Sequence, residues 1–114
     1  MRIVRDQITL AELTELAADQ FGDLVKAVVD IDRGIMSVGA DMHADEEKEL
    51  LLDGSRQEVL WGINLYPAEF GTPAWLEYDS MINLRPRLGN RTRFVEDPTI
   101  RARVAAVVDR LVTA

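Results

Sequence analysis

The chain contains no cysteine, and its 114 residues hold one histidine, 4 prolines and only 7 aromatic side chains, two Trp, two Tyr and three Phe. Without cysteine there is no disulfide framework, no thiolate nucleophile and no sulfur-ligated metal site. No apolar run approaches the ~18 residues that a membrane-spanning helix requires, and Met1-Arg2-Ile3-Val4-Arg5-Asp6 lacks the apolar core of a signal peptide. A cytoplasmic location with no membrane contact is the resulting expectation. Also missing are a glycine-rich phosphate loop, a nucleophile elbow and an HExxH pair. Ser37, Ser55 and Ser80 have no partner that spacing alone singles out.

What is present is ordinary globular material. Hydrophobic residues make up 47% and charged residues 29%, so the chain carries enough apolar surface to fold. A single domain spanning residues 1–114, burying roughly 65% of its unfolded surface, is expected at this length. The net charge of −7 conceals a division. Residues 1–84 carry 6 basic and 17 acidic side chains, whereas residues 85–114 carry 7 basic and 3 acidic. A split of this kind suits either a basic docking surface or a carboxyl-terminal segment folded against an acidic body.

Local signals place the elements. Thr9 and Glu12 form a capping box, and Leu10, Leu13, Leu16, Ala17 and Phe21 recur at helical spacing, which predicts a helix over 10–21. The β-branched run 24–31 and the run 35–42 flank Asp32-Arg33-Gly34 and predict a hairpin, with Ile31 opposite Ile35 and Val29 opposite Ser37. Asp45, Glu46 and Glu47 open a short helix that Gly54 follows, with Asp45 as its N-cap. Residues 58–66 and 75–84 read as a second strand pair. Asp97 caps, and Pro98 starts, a last helix striped by Ile100, Val104, Val107, Val108 and Leu111. The expected fold is α+β: an antiparallel sheet of four to five strands packed by two longer helices and one short helix.

Three polar groups invite a functional reading. Arg85, Arg87, Arg91 and Arg93 crowd into nine positions without an acid. A three-residue turn at Leu88-Gly89-Asn90 would send all four to one face, making an anion site with Asn90. A two-residue turn would scatter them. Glu77 and Asp79 on the preceding strand are available as internal partners. A phosphate-bearing ligand, RNA or an acidic protein would suit a common face, but non-specific duplex DNA is disfavoured by the acidic remainder. Asp41, His43 and Asp45 alternate along one segment, as divalent-metal ligands or a general base would. Helix-start residues explain them equally well, and no metal or cofactor is assigned. Finally, Asn64 and Asn83 occupy a repeated I-N-L-x-P string beside Asp79, where buried amides most often tie down backbone groups. The loop from Tyr66 to Trp75, with Phe70 between two prolines, either inserts into a partner or closes over its own hairpin.

The strings LVKAVVDIDRGIMSVGADMHADEE, LWGINLYP and DSMINLRPRLGNRTR, with VEDP opening the last helix, resemble a family of short bacterial proteins known as a domain of unknown function, number 5674. The resemblance covers nearly the whole chain and implies no activity, substrate or cofactor. It departs chiefly around 70–74, where the loop is longer. The expected role is therefore a non-catalytic binding or regulatory one exerted through protein–protein contacts, as a homodimer. The rivals are a metal-dependent hydrolase or nuclease using Asp41, His43 and Asp45 with nearby arginines, and an RNA- or nucleotide-binding module centred on 85–93.

Overall fold

The computed structural model describes residues 1–114. Helix α1 (Leu10–Asp19) begins at Thr9, whose hydroxyl accepts from the Glu12 amide while the Glu12 carboxylate accepts from the Thr9 amide, the reciprocal capping that the sequence encodes. Strands β3 (Val25–Asp30) and β4 (Ile35–Val38) form the expected hairpin and are central in a five-stranded antiparallel sheet, preceded in sequence by β1 (Arg2–Val4). With β5 (Leu60–Leu65) and β6 (Leu76–Glu77), the strand order is β1-β4-β3-β5-β6. This α+β architecture places α1 and α3 (Pro98–Leu111) on one face and α2 (His43–Leu52) on the other.

The hairpin register differs from expectation by one residue, since Asp30 opposes Ile35 and Val29 opposes Met36. The cause is the Asp30 side chain. Its Oδ1 accepts from the amides of Asp32 (2.9 Å) and Arg33 (2.8 Å), which stabilises a four-residue connection, and Gly34 closes it at φ +69°. A one-residue slip decides which side chains share a face. Val25, Ala27, Val29, Met36 and Val38 thereby join Trp61, Ile63 and Leu65 under α1 and α3, in a core of 19 buried residues. Val28, Ile35 and Leu60 pack instead beneath Leu50 of α2.

Two further expectations need correction. Helix α2 is as long as α1, ten residues each, and its N-cap is Met42, so Asp45 lies within the first turn rather than before it. The strand expected over 75–84 pairs with β5 only at Leu76 and Glu77, and Asp79 adds an isolated bridge to Phe94. Beyond them, a 3-10 turn at Met81–Asn83 carries the chain away from the ladder. Strands β2 (Ile8–Thr9) and β7 (Val112–Thr113) add a two-residue parallel ladder that ties the start of α1 to the end of α3. No helix is long and apolar enough to cross a membrane.

Candidate functional site

The arginines do not share a face. Instead of either turn considered from the sequence, a 3-10 turn at Pro86–Leu88 places Arg85 opposite Asn90 in an isolated bridge. Arg85 then turns inward. Its Nη2 donates to Glu47 of α2 at 3.0 Å, its guanidinium stacks over Trp61 at 5.1 Å, and its side chain is only 11% exposed. Burial lowers its pKa and Glu47 opposes the shift. Arg93 takes another direction, donating from Nε (2.8 Å) and Nη2 (3.3 Å) to the two carboxylate oxygens of Asp79. The Arg87 side chain borders a shallow recess with Gln57, Glu58 and Leu88. At Arg91 the engaged group is the backbone amide, which donates to Glu96.

The asparagines hold the chain in place of a strand. Gly62 of β5 donates to Asn83 Oδ1 at 2.8 Å and its carbonyl accepts from Asn83 Nδ2 at 2.9 Å. One side-chain amide thus supplies both hydrogen bonds that a neighbouring strand would give. Gly62 is required there because a Cβ on it would lie 2.5 Å from the Ser80 Cβ. Asn90 completes the arrangement, donating to the carbonyls of Asn83, Thr92 and Phe94 and accepting from the Glu96 amide. Asn64 donates to Glu77 (2.8 Å) and to the Asp79 carbonyl (3.2 Å).

Asp41, His43 and Asp45 are not brought together. Asp41 accepts from Gln20, Asp45 lies exposed in the first turn of α2, and no group of three or more His, Asp or Glu side chains is placed to hold a metal ion. His43 is turned inward, with Nε2 2.7 Å from the Ile63 carbonyl oxygen. Since a carbonyl only accepts, Nε2 carries the proton and the neutral ring keeps Nδ1 as its acceptor. Burial, chiefly, depresses its pKa, so the neutral form persists.

The most extensive concavity lies elsewhere, along the outer edge of β6. Tyr66, Tyr78 and Phe94 line a groove of about 650 Å³ with Glu69, Glu77 and Asp79. The Tyr66 hydroxyl donates to Glu77 Oε1 at 3.0 Å, and Tyr78 meets Phe94 edge-to-face at 6.1 Å. Phe94 is 47% exposed. The loop between β5 and β6 folds back over its own hairpin: Trp75 is buried, and Phe70 packs against it at 5.0 Å in a T-shaped pair. That closure leaves Pro73 and Ala74 as one wall of the groove. Sequence reasoning weighed Glu77 as an arginine partner and Asp79 both as an arginine partner and as a member of a polar cluster with Asn64 and Asn83, and it missed Tyr78, Phe94 and Glu69. The available signal was the Glu77-Tyr78-Asp79 alternation on an edge segment.

The groove can hold cations. Carboxylates offer charge and aromatic faces offer their negative quadrupole. Arg101 already rests 4.8 Å from the Phe94 ring centre. Burial pushes both phenols, Tyr66 and Tyr78, further above neutrality, so neither ionises at neutral pH.

A family model described as a protein of unknown function (DUF5674) matches residues 2–111. No curated protein and no solved structure matches the chain.

Proposed function

We propose that this chain, which belongs to the DUF5674 family, is a non-catalytic binding domain that takes an extended basic segment of a partner protein along the free edge of β6. The observation that carries the reading is the groove at that edge, where three aromatic rings and three carboxylates face one concavity. Backbone groups of an edge strand are open to pairing with an added strand. Glu69 and Glu77 supply charge that no arginine of this chain neutralises, whereas Asp79 is already engaged by Arg93. The net charge of −7 further favours encounter with a basic partner.

The test is titration of the protein with an eight-residue lysine- and arginine-containing peptide, followed by calorimetry at low and moderate salt. Micromolar affinity that weakens with salt is expected. Phe94→Ala should weaken it about tenfold through loss of an aromatic contact worth roughly 1 kcal/mol or more, and Glu69→Gln with Glu77→Gln should do at least as much. Glu15→Gln, which removes one exposed acid on α1, should change little. If Glu15→Gln and the groove substitutions lower affinity equally, attraction is a property of net charge and the groove has no dedicated role.

A further inference from the structure

Behind the Asp79–Arg93 pair, on the α2 side of the sheet, lies a second and smaller cavity of about 140 Å³ whose lining includes Lys26, His43, Ala44, Ser80 and Arg93. Half of the lining is apolar, from Met42, Ala44, Met81 and Ile82, and its charged groups are opposite in sign to the groove's. Lys26 has no carboxylate within ion-pair distance, and its ammonium sits 4.9 Å above the Phe21 ring. Arg93 spends Nε and Nη2 on Asp79, which leaves the Nη1 protons uncommitted. His43 contributes a neutral ring with a free Nδ1 acceptor, because Nε2–H is given to the Ile63 carbonyl. Glu46, a buried acid on which the Lys26 charge acts, accepts one hydrogen bond, from the Ala40 amide. Its raised pKa keeps it protonated at neutral pH, so it does not cancel the Lys26 charge.

We infer that this cavity is a binding site for a small phosphate-class oxyanion, with Lys26 and Arg93 as charge partners and His43 as acceptor for an acidic hydroxyl of the anion. The inference stands independently of the peptide reading. Size is compatible with it, since a recess of about 140 Å³ has room for a small polyatomic anion. Charge supports it, since the lining holds two cations and no carboxylate, and only Arg93 of the two is paired, with Asp79 outside the lining. The neutral imidazole adds selectivity. An anion that carries a proton at neutral pH, such as hydrogen phosphate, can donate to Nδ1, whereas sulfate cannot.

Inorganic phosphate is the probe. In two-dimensional amide NMR at pH 7 and constant ionic strength, phosphate is expected to shift the His43, Ala44 and Arg93 signals saturably, and sulfate to bind at least fivefold more weakly. Lys26→Gln should reduce phosphate affinity tenfold or more while the melting temperature stays within a few degrees of the parent. Arg93→Lys, which keeps the charge, should retain part of the affinity. Shifts that are linear in phosphate, shifts scattered over the surface, or equal affinity in Lys26→Gln would each overturn the assignment. Equal affinity for sulfate and phosphate would remove His43 from it.

Discussion

Glu46 shows how one side chain can set the pH response of the whole protein. It is fully buried, Oε2 accepts from the Ala40 amide at 3.1 Å, and Oε1 has no partner. Desolvation dominates and pushes its pKa from 4.5 up to about 9, against weaker favourable effects from the Ala40 amide, Lys26 and the amino terminus, with Glu49 adding to the rise. The sign follows from proton binding. Between pH 4.5 and about 9 the folded state holds a proton that the unfolded state has released, so stability declines as pH rises through that window. At one pKa unit per 1.36 kcal/mol, the cost at pH 7 is about 3 kcal/mol. Glutamine copies the shape of the protonated acid and cannot ionise. Glu46→Gln should therefore match the parent in urea unfolding at pH 4 and exceed it by about 3 kcal/mol at pH 7, with the difference still growing at pH 8. A difference that is constant across pH would show that Glu46 titrates normally in the fold.

At the level of elements, the segment after β6 replaces a strand with side chains. Asn83→Ala strips two hydrogen bonds from the buried Gly62 peptide and should cost about 2–4 kcal/mol. Gly62→Ala forces a Cβ into Ser80 and should cost a similar amount. Because each change dislodges the same contact, the double variant should lose well under the sum of the two, as measured by chemical denaturation. Full additivity would mean that the two residues act separately. This segment also marks where the sequence stopped being legible. The helices and the β3–β4 hairpin announce themselves through short-range signals, namely Thr9 with Glu12, Asp97 with Pro98, and a β-branched run closed by Gly34. The tie-down role of Asn64 and Asn83 was readable too, because strand interiors disfavour an unsatisfied amide. What no local pattern carries is the choice made at Tyr78, where the chain leaves the ladder although its composition still suits a strand. That choice is fixed by Asn83 and Asn90 reaching residues up to 21 positions away. The directions of the arginines were left open for the same reason, since they depend on the turn those asparagines impose, although Asp79 was legible as a partner for one of them.

Over the whole molecule, the charge division along the chain is folded back on itself. Arg85 pairs with Glu47, Arg93 with Asp79 and Arg103 with Asp32, so carboxyl-terminal cations meet carboxylates of the acidic portion. Only the Arg85–Glu47 pair is sheltered from water; exposed pairs such as Arg93–Asp79 contribute about 1 kcal/mol or less and are free to exchange partners. That weakness gives the Arg93–Asp79 pair a consequence, because Asp79 lines the acidic groove and Arg93 lines the cationic cavity. An anion held by Arg93 Nη1 would share the guanidinium charge with Asp79, and Asp79 would then attract a cation in the groove more strongly. Saturating phosphate should accordingly strengthen basic-peptide binding about fivefold, which corresponds to a coupling of roughly 1 kcal/mol, and the peptide must strengthen phosphate binding by the same factor. Measuring each affinity by calorimetry with and without the other ligand, at fixed ionic strength, checks both directions. Arg93→Gln should bring the factor to one while peptide binding itself persists, since Glu69, Glu77 and the aromatic rings remain. Unchanged coupling in Arg93→Gln would place the communication outside this ion pair, and unequal factors in the two directions would show that the two ligands do not bind one protein at one site each.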